Sequence, residues 1–310
     1  MCGLIAVLGK FGQQVSMQRL EAATRALKHR GPDDIGFYQT ENVGFGFHRL
    51  SIIDLSSAAH QPMSDISGEL TVVFNGEIYN YVELRAELIA LGHAFRSHSD
   101  TEVLLAAYRQ WGNDCVRRFN GMFAFVIHDR SSNLLFAARD RLGVKPLYLW
   151  QDDNWLVLAS EPAAIGAFGM CELQADWPRL AEAICWGLMD HDNGTCFSGI
   201  HAVPAGNSLN IDARGKLAQC SYWTLPPELP TSTFIATEWL DRLAELVTDA
   251  VRLRLRSDVP VGFTLSGGID SSLLICEAGK LHSNGGNHLA FSYQDARHDE
   301  RQPIADPVPH

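Results

Sequence analysis

The chain has 310 residues, of which 46% are hydrophobic, 9% aromatic and 20% charged, with 25 basic against 36 acidic residues and a formal net charge of −11. This is globular composition for two domains, or one and part of another, at roughly 100–200 residues each, and it excludes disorder, collagen-like repetition and coiled coil as overall descriptions. The acidic surplus argues against a general grip on nucleic acid or an anionic membrane. No apolar run approaches the ~20 residues that span a bilayer, and the N-terminus lacks the basic and apolar regions of a signal peptide. The expectation is a cytoplasmic protein whose partners are small molecules, with no nucleic acid and no membrane among them.

In chain order, Gly3 to Leu8 is a short apolar run that reads as a buried strand. Ser16 to Arg30 has helical spacing, with Met17, Leu20, Ala23 and Leu27 on one side. Val43 to Ile53 and Glu69 to Phe74 read as strands, and Asn75-Gly76 behind the second is a turn signal. Asn80-x-x-Glu83 and Ser99-x-x-Glu102 have the form of capping boxes, each opening a helix that closes near Gly92 or Gly112. Met122 to His128, Leu134 to Ala138, Leu147 to Gln151 and Trp155 to Ser160 read as further strands. Many strands with interspersed helices predict a layered α+β domain.

The prolines of Pro226-Pro227-Glu228-Leu229-Pro230 oppose both helix and central strand and mark the best linker. After them, Trp239, Leu243, Leu246, Val247, Ala250 and Val251 predict a long amphipathic helix, Val259 to Leu265 a buried strand, and Leu289 to Tyr293 a second strand beyond another helix. That is one βαβ unit. The domain expectation is 2–208, a linker over 209–234, and 235–310.

Seven cysteines, at positions 2, 115, 171, 185, 196, 220 and 276, are odd in number and contain no C-x-x-C pair, and the 12 histidines show no H-E-x-x-H spacing. Neither a disulfide framework nor a protein metal site is expected. Cys2 stands apart. Directly behind an initiator methionine, it becomes the first residue if that methionine is removed, and then carries a thiol and a free α-amine on one residue. With an α-amine pKa of about 7.7–8.0, the amine serves as the base and no histidine partner is required. Taken alone, Met1-Cys2-Gly3 is also an ordinary start, so the rest of the chain decides.

Met1-Cys2-Gly3-Leu4, His29-Arg30-Gly31-Pro32-Asp33, His48 to Asp54, Gln61-Pro62-Met63, Phe74 to Asn80, Ser99-Asp100-Thr101-Glu102 and Ala138 to Tyr148 occur in the order found in glutamine-hydrolysing asparagine synthetases, a family the chain resembles. The similarity continues through Ser160-Glu161 and Gly199 to Pro204. It implies a four-layer αββα domain of the N-terminal-nucleophile type, a class II glutamine amidotransferase. It further implies that Cys2 attacks the glutamine amide, that Asn75 and the backbone N–H of Gly76 form the oxyanion hole, and that Arg49 pairs with the substrate α-carboxylate. Asp100 and Glu77 then receive the α-ammonium group, with Leu50, Ile52 and Ile53 completing the glutamine site. Arg30-Gly31-Pro32-Asp33 is sufficiently explained as a Gly-Pro turn flanked by an ion pair, part of the site wall. Ser160-Glu161-Pro162-Ala163 departs from the family's usual Ser-Glu-(aliphatic)-Lys.

Leu265-Ser266-Gly267-Gly268-Ile269-Asp270-Ser271-Ser272 follows an apolar strand and opens a helix, which offers N–H groups and a positive helix end to a phosphate. No Gly-Lys-Ser/Thr follows, so it is not the Walker pattern. It resembles the loop of PP-loop ATP pyrophosphatases. That resemblance implies ATP, carried with Mg2+ as a substrate complex, bound by Leu265, Ser266, Gly267, Gly268, Asp270, Ser271, Ser272 and Tyr293, no organic cofactor, and adenylation of aspartate that ammonia then resolves to asparagine. Asp299-Glu300 also resemble the family. A doubly wound sheet needs several βαβ units, so the α/β synthetase part is incomplete here. A fragment and a glutaminase with a vestigial tail remain open, as do another carboxylate acceptor and a non-catalytic regulatory subunit. A homodimer is compatible with all of them.

Overall fold

The computed structural model describes residues 1–189, 191–227, 236–281 and 289–293, and the chain separates into two compact units, Met1–Pro226 and Pro227–His310. The first unit runs β1 (Gly3–Gly9), α1 (Met17–Arg25), β2 (Asp34–Gln39), β3 (Val43–Arg49), β4 (Met63–Ser64), β5 (Leu70–Ile78), α2 (Tyr81–Ala90), α3 (Asp100–Trp111) and α4 (Cys115–Arg118). It continues with β6 (Gly121–Asp129), β7 (Leu134–Arg139), β8 (Tyr148–Gln151), β9 (Trp155–Ala159), α5 (Pro162–Ala167), α6 (Trp177–Trp186), β10 (His201–Ala202), β11 (Asn207–Ile211) and β12 (Leu217–Ser221).

These strands form two six-stranded sheets, ordered β10-β8-β9-β1-β3-β2 and β12-β11-β7-β6-β5-β4. Alternation along each strand sends its side chains into different layers. In β1, Leu4, Ala6 and Leu8 join Phe45, Phe47, Val73, Ala124 and Val126 between the sheets. Ile5 and Val7 instead meet Leu20 and Ala23 of α1 and Ile165 of α5 on the outer side. The second sheet sends Val72, Phe74, Phe123, Phe125 and Ile127 against Leu84, Leu88, Val103 and Leu104 of α2 and α3. Three apolar seams therefore separate four layers, the αββα arrangement. Burial on both faces explains why β1 reads as a continuous apolar run instead of an alternating one.

Several sequence expectations are corrected. Asn75-Gly76 is not a turn, because β5 continues through it to Ile78 and pairs Asn75 with Ala124 and Gly76 with Phe123. Glycine is needed there for a different reason: a Cβ on Gly76 would lie 2.3 Å from the Met122 carbonyl oxygen. The first boundary also moves. β11 pairs with β7 and β12 with β11, and Leu209 and Ile211 fill the inter-sheet seam, so a domain ending at 208 would cut the sheet. Ser99 caps α3 by accepting from the Thr101 N–H, whereas Asn80 makes no cap to α2 and its Oδ1 accepts from the Asn120 N–H.

The second unit contains α7 (Ala236–Arg254), β13 (Gly262–Thr264), α8 (Ile269–Leu281) and β14 (Leu289–Phe291), with the two strands parallel. This is a βαβ unit with a first strand shorter than expected. Residues 228–234 of the expected linker and Asp299-Glu300 lie outside the described residues. Among the described residues, no helix is long and apolar enough to cross a membrane.

Candidate active site

A cavity of about 230 Å³ opens where the ends of the two sheets meet. Cys2 enters it just before β1 in one sheet, and Asn75, Gly76 and Glu77 come from the end of β5 in the other. The thiol sits on the loop behind β3, with the Leu50 N–H donating to Sγ at 3.3 Å and Sγ facing the Leu50 carbonyl at 3.5 Å. Burial pushes the thiol pKa up against the opposing effects of that N–H, the adjacent amino terminus, Arg49 and Lys145. At neutral pH the resting thiol is protonated, and attack needs a base. The α-amine of Met1, which also borders the cavity, is pulled below its ordinary value, chiefly by burial.

Asn75 is 1% exposed, and its Nδ2 is buried without a hydrogen-bond partner among the described residues. The amide is therefore a donor that no described protein group takes up, on a residue that lines the cavity beside Cys2. Its strand is held from behind. Gln61 accepts from the Phe74 N–H at 2.7 Å and returns a bond to the Phe74 carbonyl at 3.2 Å, locking the residue before Asn75.

Opposite these groups lie the charges. Arg49 ends β3, is 6% exposed, and spreads its guanidinium over the carbonyls of Ile53 (3.3 Å), Asp54 (2.5 Å) and Ser56 (3.3 Å). These carbonyls aim the cation, and the Asp54 carboxylate lies near enough for the guanidinium to help hold its pKa, against burial, below the ordinary value. Asp100, the first residue of α3, accepts the Ile78 N–H at 3.0 Å, yet burial, aided by the neighbouring Glu77 charge, raises its carboxyl pKa to about 7. Glu77 is likewise raised by burial, with Lys145 opposing. Leu50, Ile52 and Ile53 border the same cavity. The structure thus gathers Cys2, Arg49, Asn75, Gly76, Glu77 and Asp100 in one place.

Sequence reasoning missed two contributors. Gln61 was legible only as part of a resemblance. Lys145, 6% exposed, brings an ammonium to the cavity, where burial lowers its pKa against the pull of Glu77 and Cys2. A buried lysine on a loop carries no local pattern, and only the run Ala138 to Tyr148 pointed toward it.

The raised Asp100 pKa has a consequence for stability. The folded state holds this proton up to about pH 7, whereas the unfolded carboxyl releases it near its ordinary value of 3.8. The folded state binds the extra proton, so this group's contribution to stability is most favourable below about pH 4 and falls as pH rises toward 7. Asp100→Asn keeps an acceptor for Ile78 and should raise the unliganded Tm at pH 8 while flattening its dependence between pH 4 and 7. An unchanged melting profile would remove Asp100 as the source.

In the second unit, the Leu265 N–H pairs with the Phe291 carbonyl at 2.8 Å, and the chain turns through Gly267 at a φ of 74° into α8. Ser266 and Ser271 oxygens lie 3.2 Å apart across the turn, Ser271 donates to the Gly268 carbonyl, and the Ser272 N–H bonds to Gly268 in the first helical turn. Asp270 stands in that first turn. Tyr293 is exposed just past β14, whose neighbour Ser292 bonds to the Leu265 carbonyl at 2.7 Å. Strand, loop and helix N-terminus thus have the arrangement that receives an anion.

The family model for the glutamine amidotransferase domain matches residues 1–223, and that for asparagine synthase matches residues 242–306. The chain is 35% identical over 285 residues to asparagine synthetase [glutamine-hydrolyzing] 1 of Bacillus subtilis, covering 91% of this chain and 44% of that protein. It is 38% identical over 289 residues to asparagine synthetase 3 of the same organism, with 92% and 46% covered, and 36% identical over 287 residues to the amidase chry2 of Gibberella zeae, with 88% and 42% covered. The chain therefore spans a little under half the length of these relatives. Among solved structures, the glutamine phosphoribosylpyrophosphate amidotransferase of Bacillus subtilis shares the fold, with a TM-score of 0.54 at 17% identity over 94% of this chain and 65% of that one. A match over residues 1–223, on a unit with this αββα architecture, means that the chain belongs to the glutamine amidotransferase domain family.

Proposed function

We propose that the Cys2 cavity hydrolyses the side-chain amide of glutamine to glutamate and ammonia, and that the ammonia serves ATP-dependent amidation of a carboxylate. The observation that carries the reading is the buried, unpartnered Asn75 amide beside the Cys2 thiol. In this mechanism the α-amine of Cys2, freed by loss of Met1, takes the thiol proton, and sulfur adds to the amide carbon. The new oxyanion receives hydrogen bonds from Asn75 Nδ2 and the Gly76 N–H, a contribution of about 2.7–4 kcal/mol per donor to the transition state. Collapse expels ammonia, with the proton returned by the same amine, and water then releases glutamate from the thioester. Arg49 binds the α-carboxylate, and Asp100 and Glu77 bind the α-ammonium. Arrival of that cation returns Asp100 to its charged form.

Aspartate is the proposed acceptor because two of the relatives described above are named asparagine synthetases, while the amidase chry2, of comparable identity, keeps another carboxylate as the second reading. ATP, arriving with Mg2+, is assigned to Leu265, Ser266, Gly267, Gly268, Asp270, Ser271, Ser272 and Tyr293 in a synthetase-type segment from about residue 235 onward. No organic cofactor, nucleic acid or membrane enters this reading, which places the protein in the cytoplasm and is compatible with a homodimer.

Glutamate release from glutamine, measured with and without ATP and aspartate, tests the scheme. Release that needs Cys2 supports the glutaminase, and none at all overturns it. Arg49→Lys should raise the KM for glutamine by roughly tenfold or more with a smaller change in kcat, because a point charge cannot reproduce the guanidinium fork and a charge-assisted bond is worth about 1.5–3 kcal/mol. An unchanged KM would place the carboxylate elsewhere.

A further inference from the structure

The Arg30-Gly31-Pro32-Asp33 turn and the Ser160-Glu161 pair are left without a role by the mechanism above, and the structure joins them. Arg30 and Asp33 do not pair: Asp33 accepts the Ser51 N–H at 2.8 Å, and Arg30 Nη1 donates to Glu161 Oε1 at 2.8 Å. The Nε of the same guanidinium donates to the backbone carbonyl of Cys2 at 2.9 Å. We propose that Glu161 and Arg30 form a relay that fixes the backbone of Cys2, so that Glu161 is a positioning residue for the nucleophile. This rests on the assignment of Cys2 made above.

The need for such a relay follows from where Cys2 sits. The ladder between β1 and β3 begins at Gly3, paired with His48, and Cys2 has no strand partner among the described residues. Loss of Met1 makes Cys2 a chain end, and ends fray unless tied down. The side chain of Arg30 is 9% exposed and that of Glu161 25%. The remaining nitrogen, Arg30 Nη2, is buried with no hydrogen-bond partner among the described residues, so nothing there competes for the fork. Glu161 is anchored in turn by His29 Nε2 at 2.9 Å. Burial alone would raise its carboxyl pKa, but the Arg30 and His29 hydrogen bonds prevail and hold it below the usual range. One residue earlier, Ser160 Oγ accepts the Leu4 N–H at 3.1 Å. The junction of β9 and α5 therefore grips the start of β1 twice, directly at Leu4 and through Arg30 at Cys2.

The test is glutamate release by the full chain carrying Glu161→Ala, Glu161→Gln, Arg30→Met or the double substitution Arg30→Met with Glu161→Ala. A nucleophile displaced by about 1 Å loses up to ~10²-fold in rate. The expected result is a kcat at least about tenfold lower for Glu161→Ala and Arg30→Met with KM within about twofold, and a Glu161→Gln kcat within about threefold of the parent, since an acceptor for Arg30 remains. The double variant should be no slower than Arg30→Met, because Glu161 acts only through Arg30. An unchanged kcat in Glu161→Ala, a loss confined to KM, or multiplying losses in the double variant overturns the relay. Should Arg30→Met fail to fold, the contrast between Glu161→Ala and Glu161→Gln decides alone. A parent chain no faster than Cys2→Ala overturns the glutaminase reading and the relay together, whereas an active parent with an unaffected Glu161→Ala overturns the relay only.

Discussion

Cys2→Ala is expected to abolish glutamate release, by at least ~10⁴-fold in kcat, the scale on which enzymes lose activity with their nucleophile. Retaining Met1, or placing a tag before Cys2, should do the same with the thiol intact. The reason lies in the protonation states. Burial keeps the Cys2 thiol protonated at rest, so a base must act within reach of Sγ. The α-amine of residue 2 is that base in the proposed mechanism, and blocking it in a peptide bond removes it. Burial at this end of the chain favours a neutral amine, as the lowered value at Met1 indicates. Full glutamate release by a protein shown by mass spectrometry to keep Met1 would eliminate the N-terminal-amine mechanism while leaving a thiol mechanism standing.

The second large effect is expected at Asn75. Asn75→Ala should lower kcat by about 10²–10³-fold with little change in KM, because the lost donor acts on the oxyanion and not on the ground-state amide. Stability should respond differently. The parent carries a buried Nδ2 with no partner among the described residues, so its removal relieves a desolvation cost even as it leaves a small void. The expected Tm is within a few degrees of the parent. A kcat within twofold of the parent would assign the oxyanion to other donors, and a collapse of Tm would mean that Asn75 is structural.

The sequence revealed the layered α+β class and most long strands because those segments are buried on both faces and therefore uniformly apolar. It misread Asn75-Gly76, where local turn chemistry pointed one way and a nine-pair ladder between β5 and β6 prevailed. It missed β2, whose apolar Ile35 and Phe37 face outward while Gly36 is buried, an inversion of the pattern that marks a strand. It missed α6, a helix with no buried residue, and placed the second half of β11 and all of β12 in a linker because their many polar residues hide the contributions of Leu209 and Ile211. At the site, Cys2, Arg49, Asn75 and Asp100 were legible through ordered motifs. Gln61 and Lys145 act through tertiary position, and neither residue type nor spacing announces that.

The cavity draws its sulfur from one sheet and its amide donor from the other, so the gap between them is a property of the seam that joins the sheets. Asn75 pairs with Ala124, whose methyl group lies in that seam among Leu4, Phe45 and Val126, and Cys2 packs against the edge of the same cluster. Side-chain volume at Ala124 therefore works as a spacer for the chemistry. A bulkier residue there would act as a wedge, and in a close-packed interior strain of this kind is transmitted instead of absorbed. Such a chain would keep its layers, its thiol and its amide and would lose their alignment, so in the proposed mechanism kcat depends on residues that line no part of the cavity.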